Sequence, residues 1–319
     1  VIDFDFNFLA KKFKEHELSF ILGRDQHPCK VRVEHHFFKS SSVDIVGRQV
    51  LDGLNLVQAS FVNLPDYKLD TAAQIILKDR KLITSTGKMK YQEIERLYLE
   101  DPQLLVNYNL KDAQLAYDIL EQGKFLELTV QRSLITGLPL NKVSGSIAAL
   151  DSLYLRKARL RNLVVPSHVY QEKKHSLVGG FVKQSLPGIY DHILVLDYKS
   201  LYPSIIRTFN IDPYTYQEKK QKNSLSLINN SFFKREKGIL PEILEELWKE
   251  RDKVKKEKNE MKSFALKTVM ASFIGAMGSE QCRFFNPKLA NAVTTMGQEI
   301  IKLTAQYIEK KGYDVIYSD

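Results

Sequence analysis

Apolar and polar residues follow one another along the first 125 residues in a pattern that mixes strands with helices. Residues 47–54 (GRQVLDGL) predict a strand that ends at an Asp-Gly pair. Residues 67–77 predict a helix with Asp70 as its N-cap, and residues 104–120 predict a second helix. Strands mixed with helices favour an α/β domain in this part of the chain.

The later part of the chain is predicted to be mainly helical. Residues 239–261 carry a long charged helical pattern and residues 263–278 a mainly apolar one. Together they predict an antiparallel helical hairpin. Residues 289–312 predict a third long helix with Gly312 as its C-cap.

Four non-helical segments complete the pattern. Residues 163–180 predict a polar, basic connector that ends in paired glycines, and residues 219–231 predict a polar loop. Two apolar runs, 193–197 and 313–319, predict strands that each end at an aspartate.

Composition limits the class of protein. The 319 residues are 44% hydrophobic and 27% charged, the balance of a folded globular protein with room for two domains. No apolar run approaches the roughly 20 residues that cross a bilayer, so no membrane association is expected. Cys29 and Cys282 are too few for a disulfide framework, which favours the cytoplasm as location.

Charge adds a weak indication of the partner. Lys and Arg number 47 against 38 Asp and Glu, a formal net charge of +9. A basic surplus favours a polyanion such as nucleic acid, because phosphate contacts release counterions. Many soluble proteins are mildly basic without binding nucleic acid, so charge alone does not decide.

The two strand-ending aspartates, Asp197 and Asp319, are candidate metal ligands. Ligands gather at strand ends, and carboxylates that converge on Mg²⁺ support two-metal phosphoryl transfer. A single aspartate after a strand is more often a turn residue or a helix cap. Spacing alone therefore favours a turn or capping role for each aspartate over metal binding.

Residues around these aspartates resemble the motifs of family B DNA polymerases. DYKSLYPSII (197–206) resembles motif A, and YSD (317–319) is similar to the start of motif C. Between them, Lys267 and Gly275 match the frame of motif B. The motifs occur in the family's order, and CRFFNPKLA (282–290) looks especially like bacterial members.

The resemblance implies a polymerase site with Mg²⁺ as its cofactor. Asp197 and Asp319 would be catalytic metal ligands, and the backbone at Ser200 and Leu201 would cradle the triphosphate. Tyr202 would lie beneath the incoming sugar and exclude a 2′-hydroxyl.

Three cations complete that implied site. By resemblance Arg251, Lys255 and Lys267 would neutralise the triphosphate's charge. A solvated helix face is the commoner role of a single cation, and for Lys255, among other lysines, the two roles are equally probable.

A second set of residues resembles the family's 3′–5′ exonuclease. VIDFD (1–5) places Asp5 at the acid of the second exonuclease motif, and YNLKD (108–112) matches the third with Tyr108 and Asp112. The resemblance implies that both aspartates bind a divalent metal and that Tyr108 orients the attacking water. On a helix the spacing of four places Tyr108 and Asp112 on one face.

The implied fold class is α/β and α+β, an RNase H-like exonuclease domain followed by a polymerase palm with helical-hairpin fingers. The expected domains are a partial exonuclease at 1–125, a connector at 126–180, palm at 181–232, fingers at 233–284, and palm again at 285–319, with the thumb absent. Implied partners are primer–template DNA, dNTPs and, for a full-length protein, a sliding clamp, in replication or repair.

Motif B departs from the family at two positions. Ala271 replaces the usual Asn, and Ile274 replaces the usual Tyr. Positions 267, 271, 274 and 275 share one helix face by their spacing. Nucleotide binding is expected to survive, because Lys267 is retained, whereas fidelity is expected to change.

Two alternatives to a complete polymerase remain open. The sequence starts after the first exonuclease motif and stops at the first acid of motif C, so this chain alone is expected to polymerise DNA weakly or not at all. It could instead act as a nuclease that uses Asp5 and Asp112, or as a DNA-binding module that uses the lysine-rich helix at 249–262.

Overall fold

The computed structural model describes residues 2–34, 41–60, 62–83, 87–168 and 177–319. They form two compact units, which are treated separately below. Unit 1 comprises residues 1–133 and 139–144, and unit 2 comprises residues 134–138 and 145–319. Among the described helices, none is long and apolar enough to cross a membrane.

Unit 1 is mostly helical with one small sheet. Its antiparallel strands β1 and β2 place Val31 opposite Val43, and short π-helical turns occur at Ile2–Phe6 and Ala73–Leu77. Its elements are α1 (Asn7–Glu15), β1 (Lys30–Arg32), β2 (Ser42–Asp44), α2 (Gly53–Gln58), α3 (Leu69–Ala72), α4 (Gly87–Glu100), α5 (Pro102–Gln122) and the greater part of α6 (Phe125–Thr136).

The prediction of a strand at 47–54 is wrong. Gly53 opens helix α2, and Asp52 is its N-cap. The Asp52 carboxylate accepts hydrogen bonds from the backbone N–H groups of Leu54 at 3.0 Å and Asn55 at 3.3 Å. An Asp-Gly pair can end a strand or begin a helix, and here the capping bonds favour the helix.

The two helices predicted in unit 1 are confirmed, with one corrected cap. The first is α3 with the π-helical turn that follows it, and the second is α5, whose N-cap is Asp101. Asp70 is not an N-cap, because it lies inside the first turn of α3. Its carboxylate instead accepts a hydrogen bond from the Lys81 backbone N–H at 3.0 Å.

In the described part of unit 2, five helices and a small sheet pack around the larger hydrophobic core. Leu240, Leu244 and Phe273 are fully buried in that core. The elements are α7 (Ser146–Leu160), α8 (Leu201–Thr208), β3 (Tyr216–Gln217), β4 (Leu225–Ser226), β5 (Phe232–Phe233), α9 (Ile239–Lys256), α10 (Glu260–Met277) and α11 (Pro287–Lys310).

The predicted helices of unit 2 are confirmed. α9 and α10 pack together as a hairpin joined by residues 257–259, and the Asn259 side chain caps α10. α11 matches the third predicted helix, but its C-cap is Lys311 and not Gly312. Gly312 is the next residue, with a left-handed φ of 86°.

The loop predicted at 219–231 is partly wrong, because β4 lies within it. The antiparallel sheet has the order β3-β5-β4, and Phe233 of β5 faces both Tyr216 and Leu225. Strands of two residues are too short for an alternating pattern to be recognised.

Neither predicted strand that ends at an aspartate forms a regular strand. Residues 193–196 belong to no helix or strand, and Ile193, Leu194, Val195 and Leu196 have exposures of 54%, 84%, 89% and 75%. The segment 313–319 makes two strand-like bonds, from the Lys183 N–H to the Ser318 carbonyl (2.8 Å) and from the Leu186 N–H to the Ile316 carbonyl (3.1 Å). These pair it antiparallel to residues 183–186.

The predicted connector at 163–180 is described only in part, since residues 169–176 lie outside the described ranges. The last residues of the connector are hydrogen-bonded to side chains of α11. The Val178 N–H donates to Asn291 Oδ1 at 2.8 Å, and Gln298 Nε2 donates to the Gly179 carbonyl at 2.8 Å.

A buried carboxylate anchors the start of α9. Asp212 is fully buried, and its Oδ1 accepts bonds from the Tyr154 hydroxyl at 2.9 Å and the Tyr214 N–H at 2.7 Å. Its Oδ2 accepts from the Leu240 N–H at 2.5 Å, in the first turn of α9. Burial raises the pKa of Asp212 despite these bonds.

Candidate functional site

The candidate site of unit 2 is built on the turn 197–200, which leads into α8. Ser200 adopts a left-handed conformation with φ 55° and ψ 64°. Such a conformation costs a non-glycine residue roughly 1–2 kcal/mol. The turn therefore depends on contacts from elsewhere in the unit.

The two candidate metal ligands of this site are both solvent-exposed. Within the described ranges, no side chain pairs with the carboxylate of Asp197. Asp319 accepts a hydrogen bond from the Tyr317 hydroxyl, which raises the pKa of Tyr317. Carboxylate oxygens are the ligands that Mg²⁺ prefers, so the donor chemistry fits a divalent cation. No described group of three or more His, Cys, Asp or Glu side chains is arranged for a metal.

Tyr202, in the first turn of α8, is packed against a glycine. A Cβ added to Gly297 of α11 would lie only 3.1 Å from Tyr202 Cε1 and 3.7 Å from Cδ1, so this side of the ring packs closely against the helix backbone. Its hydroxyl lies near Gly180, 3.5 Å from where a Cβ would stand there. The half-buried ring is therefore held in one orientation.

The three candidate cations are placed differently. Arg251 of α9 is half-buried, and its Nη1 lies 3.5 Å from Ser200 Oγ. Its Nε is buried and has no hydrogen-bond acceptor among the described residues. Lys255 and Lys267 are exposed. The structure thus brings Arg251 to the turn and leaves the two lysines facing solvent.

The motif B positions lie on one face of α10, as predicted. Lys267, Ala271 and Gly275 are exposed and Ile274 is half-buried, whereas Met270 and Phe273 point into the core. The outward face of this helix therefore carries one cation and otherwise small or apolar side chains.

In unit 1, Tyr108 and Asp112 lie on one face of α5, as predicted. Lys81 contacts both, with Nζ 2.5 Å from Asp112 Oδ2 and 5.3 Å from the centroid of the Tyr108 ring. Burial lowers the pKa of Lys81, but the hydrogen bonds to Asp112 and Tyr108 outweigh it and raise the pKa overall. Asp5 lies on a different element, the exposed π-helical turn Ile2–Phe6.

The sequence-based interpretation missed a group of residues around the turn. Lys199 Nζ lies 3.1 Å from Asp252 Oδ1 and 5.1 Å from the centroid of the Trp248 ring. The Arg207 guanidinium lies 5.0 Å from the same centroid. The available signal was the single tryptophan of the chain, four residues before an acid on one predicted helix.

Comparison with known proteins gives a consistent result. The family model described as DNA polymerase family B matches residues 143–318. DNA polymerase II of Escherichia coli (strain K12) is 38% identical over 100% of this chain and 41% of its own length. A DNA polymerase of Desulfurococcus sp. (strain Tok) is 30% identical over 99% of this chain and 42% of its own.

A solved structure agrees in fold. The family B DNA polymerase of Pyrobaculum calidifontis aligns with a TM-score of 0.79 at 24% identity, over 100% of this chain and 43% of that one. The chain thus spans about two fifths of the length of the relatives it matches.

Proposed function

The chain belongs to DNA polymerase family B, and we propose that the protein containing it performs template-directed DNA synthesis. The reaction joins the α-phosphate of a dNTP to the primer 3′-hydroxyl and releases pyrophosphate. The observation that carries this proposal is the turn 197–200, in which Asp197 is exposed, without a side-chain partner among the described residues, and Ser200 receives Arg251 of α9.

The chain's own residues have distinct parts in this reaction. Asp197 and Asp319 would hold Mg²⁺, which when bound acidifies the primer hydroxyl and neutralises the leaving pyrophosphate. Arg251, Lys255 and Lys267 would bind the triphosphate oxygens and stabilise their developing charge.

Two further parts of the site concern the sugar and the phosphates. The backbone N–H groups of Ser200 and Leu201 would face the phosphates, since the Ser200 side chain does not cap the start of α8. Tyr202, fixed against Gly297, would lie under the deoxyribose and leave no space for a 2′-hydroxyl.

We also propose 3′–5′ proofreading by the protein that contains this chain. Asp5 and Asp112 would bind a divalent metal, and Tyr108 would orient the attacking water. The shared face of Tyr108 and Asp112 supports the proposal, and Lys81 would have to release Asp112 before a metal could bind there. Primer–template DNA and dNTPs are the proposed substrates, and a sliding clamp is a proposed partner.

Primer extension by the full-length polypeptide tests this function. With Mg²⁺, the enzyme should add the nucleotide that the template specifies, and a chelator should reduce the rate by at least about 10²-fold. A primer with a mispaired 3′ end, labelled at its 5′ end, measures degradation in the same reactions. Bound DNA without extension would instead support the nuclease, if the primer is shortened, or the binding module, if it is not.

The departures in motif B predict reduced fidelity. Ile274→Tyr and Ala271→Asn would each return a hydrogen-bonding group to the face of α10 beside Lys267. One such bond contributes about 1 kcal/mol, so each substitution should lower misincorporation about fivefold. Single-nucleotide insertion with correct and incorrect dNTPs measures the ratio. Ser272→Ala, on a neighbouring face of α10, is the control, and an unchanged ratio in both restored variants would contradict the prediction.

A further inference from the structure

Side chains of the turn 197–200 contact one helix outside the turn, α9. Ser200 is in a left-handed conformation, and its side chain does not cap α8. Within the turn, the Ser204 N–H donates to the Ser200 carbonyl at 3.1 Å, and the Ser204 hydroxyl donates to the Lys199 carbonyl at 3.3 Å. These local bonds fix the end of the turn that joins α8, whereas the Lys199 and Ser200 side chains both reach α9.

On α9, Trp248 and Asp252 are the residues that receive Lys199. They are four residues apart and therefore on one face of the helix. The Lys199 ammonium donates to Asp252 and lies over the indole ring, while the same ring also contacts Arg207 of α8. Hydrogen bonds from Lys199 and Trp248 lower the pKa of Asp252 against a smaller opposing effect of burial. We call Lys199, Trp248 and Asp252 the turn clamp.

The turn clamp lies at the edge of the hydrophobic core of the unit, with Trp248 packed against the core and Lys199 and Asp252 on the solvent side. Lys199 and Asp252 keep 58% and 44% of their side-chain surface exposed, and Trp248 is half-buried. A pair so exposed contributes little to stability. The contacts join the residues that follow Asp197 to α9.

We propose that Trp248 and Asp252 are positioning residues, which hold the turn 197–200 against α9 through Lys199 and so direct the Asp197 carboxylate. This inference rests on the proposed polymerase function. Because α9 also carries Arg251, one rigid helix would set both the metal ligand and a triphosphate-binding cation. Their relative geometry would then be fixed before substrates arrive, which is the condition for efficient positioning.

Kinetics of variants in the full-length polypeptide test the turn clamp. Trp248→Leu, Asp252→Asn and Lys199→Met should each lower kcat for single-nucleotide insertion about tenfold, because a small misplacement of a reacting group is costly. The Mg²⁺ concentration for half-maximal rate should rise about tenfold, as when a residue supporting a metal ligand is lost. Trp248→Phe, which retains an aromatic face, should restore most of the rate.

Two controls separate positioning from stability. Glu246→Gln changes an exposed acid of the same helix, one whose partner is Lys157, and should leave both kinetic quantities unchanged. Melting temperatures of Lys199→Met and Asp252→Asn should stay within about 3 °C of the wild type, since surface changes alter stability little. The double variant Lys199→Met with Trp248→Leu should be no slower than either single variant, because both remove one interaction.

The outcomes are distinguishable. Wild-type rates and Mg²⁺ dependence in all three turn-clamp variants, with Asp197→Asn inactive, would overturn the turn clamp and leave the polymerase function standing. Rate losses that parallel a large fall in melting temperature would overturn it as well, because the residues would then be structural. A wild-type enzyme that does not extend primers would overturn both proposals.

Discussion

Asp197→Asn should reduce nucleotide insertion by the full-length polypeptide on the order of 10³-fold. The substitution keeps the size of the side chain and removes its charge, which the proposed metal site requires. Asp197 is exposed and, among the described residues, has no side-chain partner, so the fold loses nothing by the change. Single-turnover insertion with saturating Mg²⁺ and dNTP measures the effect.

A neighbouring aspartate serves as the control for this experiment. Asp191 is exposed and precedes the same irregular segment, so Asp191→Asn should insert nucleotides at the wild-type rate. Equal melting temperatures for the two variants would assign the loss to chemistry. An Asp197→Asn enzyme that keeps a tenth of the wild-type rate would contradict the assignment of Asp197 as a metal ligand.

Asp212→Asn should destabilise unit 2 by about 3 kcal/mol. Oδ1 of Asp212 accepts from Tyr154 and Tyr214, and Oδ2 accepts from Leu240. An amide has only one acceptor oxygen, so in either orientation its NH₂ group would face a buried donor. Such a clash leaves buried polar groups unsatisfied, which costs far more than the loss of an exposed bond.

Thermal unfolding followed by circular dichroism measures this effect. A loss of about 3 kcal/mol should lower the melting temperature of a unit of this size by about 10 °C. Tyr154→Phe removes only one of the three donors and should cost less. The exposed Glu218→Gln is the matched acid-to-amide control. A melting temperature of Asp212→Asn equal to that control would show that the buried carboxylate does not anchor α9.

Helices were predictable from the sequence because their signals are local. The apolar spacing that predicts α10 and α11 and the charged pattern that predicts α9 each occur within one short segment of the sequence. The expected strands at 193–197 and 313–319 depend on pairing with distant residues, which no local pattern specifies. The prediction at Asp52 failed because the local sequence is ambiguous. An Asp-Gly pair occurs at the end of a strand as well as at the start of a helix.

The candidate site was predictable where residues occur in a continuous motif. Asp197, Ser200 and Tyr202 stand in one run of ten residues, and the structure places them on one turn and helix. The contact between Lys199 and Asp252 joins positions 53 residues apart, and neither residue type is distinctive. The burial of Asp212 likewise follows from tertiary packing, which the sequence pattern does not reveal.

In the proposed function, the contact between Tyr202 and Gly297 would let α11 influence which sugar is accepted. The ring packs against a position that has no side chain, so the backbone of α11 would set the depth of the proposed sugar pocket. Evolution or protein engineering could then change which sugars are accepted by adding a methyl group at position 297, while the tyrosine itself stays untouched.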